Sequence, residues 1–200
     1  MHSYRHKCRL VAIVICTLLS VLLGLSAKAD EERAKRPFKV TKIPEAGLEL
    51  YIPARPMWNW EVQPRRNSYA VILSTPAQYY PPTTVEIVSI EGMHIPSQDL
   101  PQVAASALET VRKGAAPLNP QIKQAMARAT YGDISGYEEV LDLSSEGASF
   151  EARSFSGMLP SGRPVSFFAV SAKGQLEHVQ PMLRRIIRNI KPLSQQKSDS

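Results

Sequence analysis

The stretch Tyr137–Ser171, YEEVLDLSSEGASFEARSFSGMLPSGRPVSFFAVS, decides the fold class. It holds three runs that read as strands of a meander, Tyr137–Leu143, Ala148–Met158 and Val165–Ser171. The separators, Ser144-Ser145-Glu146-Gly147 and Pro160-Ser161-Gly162-Arg163, carry turn chemistry. Links this short join antiparallel neighbours, because a parallel pair needs a crossover of a dozen or more residues. Val165–Ser171 is apolar at almost every position, which predicts a central strand covered on both faces.

Outward from this meander, Val179, Met182, Leu183, Ile186, Ile187 and Ile190 recur at three- and four-residue steps. That spacing predicts a closing helix over about 177–191, with Arg184, Arg185 and Arg188 opposite the stripe and Pro181 in the opening turn. Upstream, Leu48–Ile52, Trp58–Gln63, Tyr69–Ser74 and Thr84–Ile90 read as strands, with prolines falling between them. Leu100, Val103, Ala104, Ala107, Leu108 and Val111 predict a helix capped by Ser97 or Asp99, with Gly114 just past its end. Gln121–Ala129 reads as a short further helix. The expected architecture is α+β: a largely antiparallel sheet of about six to seven strands covered by two main helices.

The first 29 residues have the three parts of a secretory signal peptide. Arg5, Lys7 and Arg9 precede the apolar run Leu10–Leu25, and Ala27 and Ala29 stand three and one before the expected cut, leaving Asp30 as the mature N-terminus. At 16 residues the run is short of the roughly 20 needed for a bilayer-spanning helix, which disfavours an uncleaved anchor. Cys16 lies too early for a lipobox. The expected location is periplasmic, with membrane contact only in transit. Residues 30–44 read as a flexible arm, 45–192 as one domain, and 193–200 as a disordered tail.

Cleavage changes the composition. The signal holds four of the 24 Lys and Arg residues and none of the 18 acids, so the mature chain is +2 rather than +6. That balance argues against a nucleic-acid partner, which needs a concentrated basic footprint. Both cysteines, Cys8 and Cys16, leave with the signal. The two remaining histidines, His94 and His178, form no ligand pair, so neither a metal nor a cofactor is expected. Ser156-Gly157 and Ser161-Gly162 do not make a hydrolase elbow. Glu138, Glu139 and Asp142 read as the solvent-facing side of a strand.

Four places suggest binding. Tyr79 and Tyr80 sit in a Pro-rich loop and present stiff amphipathic surface, or fold back over the sheet edge. Trp58 and Trp60 share one face of a strand, for core packing or for stacking a ligand such as a sugar. Arg65 and Arg66 form a turn tip. Arg184, Arg185 and Arg188 could meet an acidic partner or form an ordinary polar helix face.

The element order, the opening Leu48-Glu49-Leu50-Tyr51-Ile52-Pro53 with Trp58 and Trp60 soon after, Gly136-Tyr137 before a strand, and the ending Ile186-Ile187-Arg188-Asn189-Ile190-Lys191-Pro192 resemble the PsbP-like superfamily. That group includes the DcrB-like bacterial proteins and the Ran-binding Mog proteins, and the resemblance covers roughly residues 45–192. It implies a PsbP-like sandwich and binding rather than catalysis. Members serve as photosystem accessory subunits, GTPase binders, effector chaperones or envelope immunity proteins, with no shared catalytic residue to carry over. The expectation is a non-enzymatic protein-binding module, plausibly an inhibitor or immunity protein for a secreted effector toxin. The alternatives are a small-ligand or glycan-binding envelope protein, or an accessory subunit of a secretion assembly.

Overall fold

The computed structural model describes residues 38–193. The expected signal peptide with Ala27 and Ala29, residues 30–37 of the arm and residues 194–200 of the tail lie outside the described residues. Two antiparallel sheets and two helices make an α+β sandwich. The small sheet holds β1 (Phe38–Ile43), β2 (Leu48–Pro53) and β10 (Lys191–Pro192), in the order β1-β2-β10. The large sheet holds β3 (Asn59–Arg65), β4 (Ser68–Ser74), β5 (Thr83–Ser89), β6 (Gln121–Tyr131), β7 (Ile134–Ser145), β8 (Ala148–Met158) and β9 (Pro164–Ala172). Its order is β3-β4-β5-β9-β8-β7-β6, so the Val165–Ser171 run is indeed central, between β5 and β8. Helices α1 (Leu100–Gly114) and α2 (Leu176–Ile187) complete the fold.

The pleat of the large sheet divides its residues between two layers. Val71, Leu73, Val85, Ile87, Phe155, Val165, Phe167 and Ala169 join Leu48, Leu50 and Ile52 of the small sheet and the buried stripe of α2 in one core. On the opposite face Leu141, Leu143 and Ala152 form a smaller cluster with Ala115, just past α1, which packs over β7 and β8. Arg163 ties the two sheets together. Its guanidinium donates to the carbonyls of Ala46 (2.7 Å) and Gly47 (3.0 Å) and to the Ser89 hydroxyl (2.8 Å). Among the described residues no helix is long and apolar enough to cross a membrane.

Five expectations need correction. The arm 30–44 ends before Phe38: Phe38–Ile43 is a strand registered along the whole of β2, and Pro44–Ala46 is a 3-10 turn. Only Ile43 of that strand is fully buried, so it carries little of the apolar signal that marks a strand. The tail begins later than 193, since the Leu193 N–H donates to the Gly47 carbonyl at 3.0 Å. Gln121–Ala129 is not a helix but most of β6. Its Gln, Lys, Ala, Met and Arg residues favour helix intrinsically, but pairing with the 12-residue β7 overrides propensity on this exposed edge. The closing helix stops at Ile187, and Lys191-Pro192 turns to pair with Leu48 and Glu49. Pro181 is the sixth residue of that helix and exposed, so the Glu177 carbonyl it leaves without an i+4 donor is on the solvent side.

Candidate binding site

Among the described residues each sheet ends in an edge strand, β1 in one and β3 in the other. Between these edges opens a mouth of about 320 Å³. Lys39 and Thr41 of β1, Ile52 of β2, and the segment Met57–Trp60 line it. The turn ahead of that segment is closed by an Ala54–Met57 bridge and by the Trp58 N–H donating to the Pro53 carbonyl at 3.1 Å. Trp58 thus precedes β3 while Trp60 lies within it, and although both line the mouth they do not share one environment. Trp58 belongs to the core at 1% exposure, while Trp60, on the edge strand, is 46% exposed. Met57 beside them is 70% exposed.

The buried indole N–H of Trp58 has no hydrogen-bond partner among the described residues. Buried donors are rarely left so. Lys39 is the one charged residue of the lining, and no acid accompanies it. The mouth is thus largely apolar with one positive charge.

The loop between β4 and β5 separates the two tyrosines. It is held by the Thr83 N–H to the Thr75 hydroxyl (3.0 Å), the Tyr79 N–H to the Pro76 carbonyl (2.8 Å) and the Ser171 hydroxyl to the Pro82 carbonyl (3.2 Å). Tyr79 packs back against the main core, whereas Tyr80 is 66% exposed. The register pairs Asn59 with Ser74, so this loop and the two tryptophans lie at the same end of the β3–β4 hairpin. Arg65, paired with Ser68, lies at the other end, six residues or about 20 Å along the strand. It is held by Glu86 (2.9 Å) and Gln63 (3.1 Å), and Arg66 is exposed in the adjoining turn. The structure brings together Trp58, Trp60 and the Tyr80 loop and leaves Arg65 and Arg66 apart.

Met57, Lys39 and Thr41 escaped sequence reasoning. Met57 had a usable signal, an apolar residue following Pro53-Ala54-Arg55-Pro56, a turn that displays it. Lys39 and Thr41 had none, because their strand was read as part of the arm.

The acidic residues of β7 are not a solvated stripe. The two faces of this strand lie against two cores, Val140 in one and Leu141 in the other, so the neighbouring carboxylates Glu138 and Glu139 point to opposite sides. On the α2 side the Glu138 carboxylate accepts from Arg153 (2.8 Å) and from the Tyr131 hydroxyl (2.6 Å), and Arg153 also reaches Glu177 of α2 (3.2 Å). Burial and donation to Glu138 push the Tyr131 phenol well above its ordinary value. On the α1 side Glu139 accepts from Arg112 at 2.6 Å through one oxygen, and its other oxygen has no partner among the described residues. Burial raises the Glu139 carboxyl above the ordinary value, against the lowering effect of Arg112. Asp142, which is half-buried, pairs with Lys173 at 3.3 Å. These groups hold layers together, and none lines the mouth. Arg184 and Arg185 of α2 lie over the Tyr131 and Phe38 rings at 5.6 and 4.2 Å. His94 is exposed and contacts the Ser161 carbonyl at 3.1 Å.

Neither a protein-family model nor a curated protein matches the chain. Among solved structures, one from Bacteroides thetaiotaomicron is similar with a TM-score of 0.53 at 10% identity over 78% of this chain. The match spans 49% of that structure, about half its length, and the likeness is one of fold. Lower similarity is found to LpqN of Mycobacterium tuberculosis, involved in cell envelope biogenesis, with a TM-score of 0.43, 16% identity and coverage of 78% of this chain and 86% of that one. PA94 of Pseudomonas aeruginosa, of unknown function and a putative regulator, has a TM-score of 0.39 at 12% identity, covering 78% and 97%.

Proposed function

We propose that this chain is an exported, periplasmic, non-enzymatic module that binds another protein through the end of the sandwich carrying Met57, Trp60 and Tyr80. The observation that carries the reading is the exposure of these three large side chains at one end of the β3–β4 hairpin, beside an open mouth. Large apolar groups left in water mark interaction surfaces when they cluster, and aromatic residues and methionine are enriched at the centres of such surfaces. Met57 adds an unbranched, adaptable side chain. The signal-like first 29 residues support export, and the PsbP-like resemblance supports binding over catalysis. An effector toxin delivered to the envelope is the partner class we favour, with this chain as its inhibitor or immunity protein.

The test is capture from envelope extract by the mature chain, compared with a Met57→Ala/Trp60→Ala/Tyr80→Ala variant. The reading expects one stoichiometric protein, lost with the variant while the circular dichroism is unchanged, and a mature mass beginning at Asp30. Capture that ignores the variant removes the surface from the account. A second reading, a small-ligand or glycan site, is favoured by the two tryptophans lining one mouth. A sugar panel that quenches their fluorescence would select it.

A further inference from the structure

We infer that the mouth between β1 and β3 receives the C-terminal end of a partner polypeptide, its last apolar side chain together with its free carboxylate. This rests on the protein-binding reading above and states what chemistry the partner brings. The volume, about 320 Å³, is at the small end of ligand pockets and suits one large side chain with its backbone rather than a whole element.

The lining sorts into two parts. Ile52, Met57 and the Trp60 ring provide an apolar wall. Lys39, the Thr41 hydroxyl and the Asn59 amide provide a cation and two polar groups able to donate, with no carboxylate among the lining residues. Lys39 is exposed and makes no ion pair or hydrogen bond among the described residues, so an entering carboxylate displaces no partner of it. A chain terminus is the group that carries an apolar side chain and an anion on one carbon.

Polypeptide is favoured over a free amphiphile by the two walls themselves. Among the described residues β1 and β3 are each the edge of a sheet, with no strand of that sheet on their outer side. Such an edge takes up an extended chain by strand addition, and main-chain bonds then supply affinity while the pocket supplies selectivity.

The chain's two tryptophans, Trp58 and Trp60, both line the mouth, so intrinsic fluorescence reads this site directly. The mature chain is titrated with a hexapeptide ending in leucine as the free acid, with the same peptide as its amide, and with decanoate. The expected result is binding of the acid roughly tenfold or more tighter than the amide, the size of one charge-assisted hydrogen bond. Lys39→Met should erase that preference and retain the weaker amide binding, and decanoate should bind less tightly than the acid peptide. Equal binding of acid and amide overturns the carboxylate assignment. Decanoate binding as tightly as the acid peptide overturns the polypeptide assignment. No response to any probe overturns the inference as a whole, while partner capture that still depends on Met57, Trp60 and Tyr80 would leave the protein-binding reading standing.

Discussion

Arg153 on β8 and Glu138 on β7 face each other inside the sandwich, guanidinium Nη1 to carboxylate Oε1 at 2.8 Å. They are not directly opposite in register: Glu138 pairs with Phe155, and Arg153 with Val140. The contact is therefore diagonal on one face, where only a long side chain reaches. Tyr131 completes it from β6, and its ring meets Phe155 and Phe167 edge-on at 5.2 and 5.4 Å. One polar node thus joins three strands, and through Glu177 it reaches α2.

Removing one member of a buried pair leaves the other as an uncompensated charge. Arg153→Leu should cost about 3–5 kcal/mol, measured by urea denaturation. Adding Glu138→Gln should restore part of that loss, because the stranded carboxylate is then gone. A single variant as stable as the parent would contradict the reading of this node.

Glu139 sets a pH dependence of definite sign. Its carboxyl is held above the ordinary value of 4.5, chiefly by burial, so the folded state binds its proton more tightly than the unfolded state does. The stability it contributes is fully present below about pH 4.5 and is lost as pH rises through the raised folded value. Glu139→Gln removes this dependence. The stability of the parent relative to that variant should therefore fall as the pH rises above about 4.5, read in denaturation midpoints. A difference that grows with pH would contradict it.

Gly136 and Gly157 lie directly opposite in β7 and β8, with the Phe155 ring laid over them. A Cβ at Gly157 would come 2.5 Å from the Phe155 ring and from the Ser135 carbonyl, and one at Gly136 would come 2.6 Å from the same ring. Gly157→Ala should destabilise by about 1–3 kcal/mol through overpacking. Gly174→Ala, where no atom lies within 4 Å of the added carbon, costs only its left-handed backbone (φ +75°) and is the control for crowding. Equal losses at the two sites would show that crowding is not the cause.

What the sequence made legible follows from how each residue earns its place. The meander from Tyr137 to Ser171 and the stripe of α2 are held by burial of apolar side chains, which periodicity reports directly. β6 and β1 are held by backbone pairing to a neighbour, which side-chain pattern does not report, so one was read as helix and the other as an arm. Glu138 and Glu139 were placed in solvent because alternation of charge with Val140 and Leu141 looks like an exposed face. Their burial depends on Arg153 and Arg112, partners 15 and 27 residues away. At the candidate site the tryptophan pair and the tyrosine loop were visible as residue types. That Trp58 and Tyr79 turn inward while Trp60 and Tyr80 stay in water depends on which strands lie at the sheet edges.

The central claim is that the Met57–Trp60–Tyr80 end is the binding surface, and site-specific photocrosslinking in living cells tests it most directly. A photoreactive residue is placed at Met57 in one strain and at Arg66, beyond the far end of the same hairpin, in another. The account predicts one discrete crosslinked protein from Met57 and none from Arg66. No product at Met57, or the same product from both positions, would contradict it.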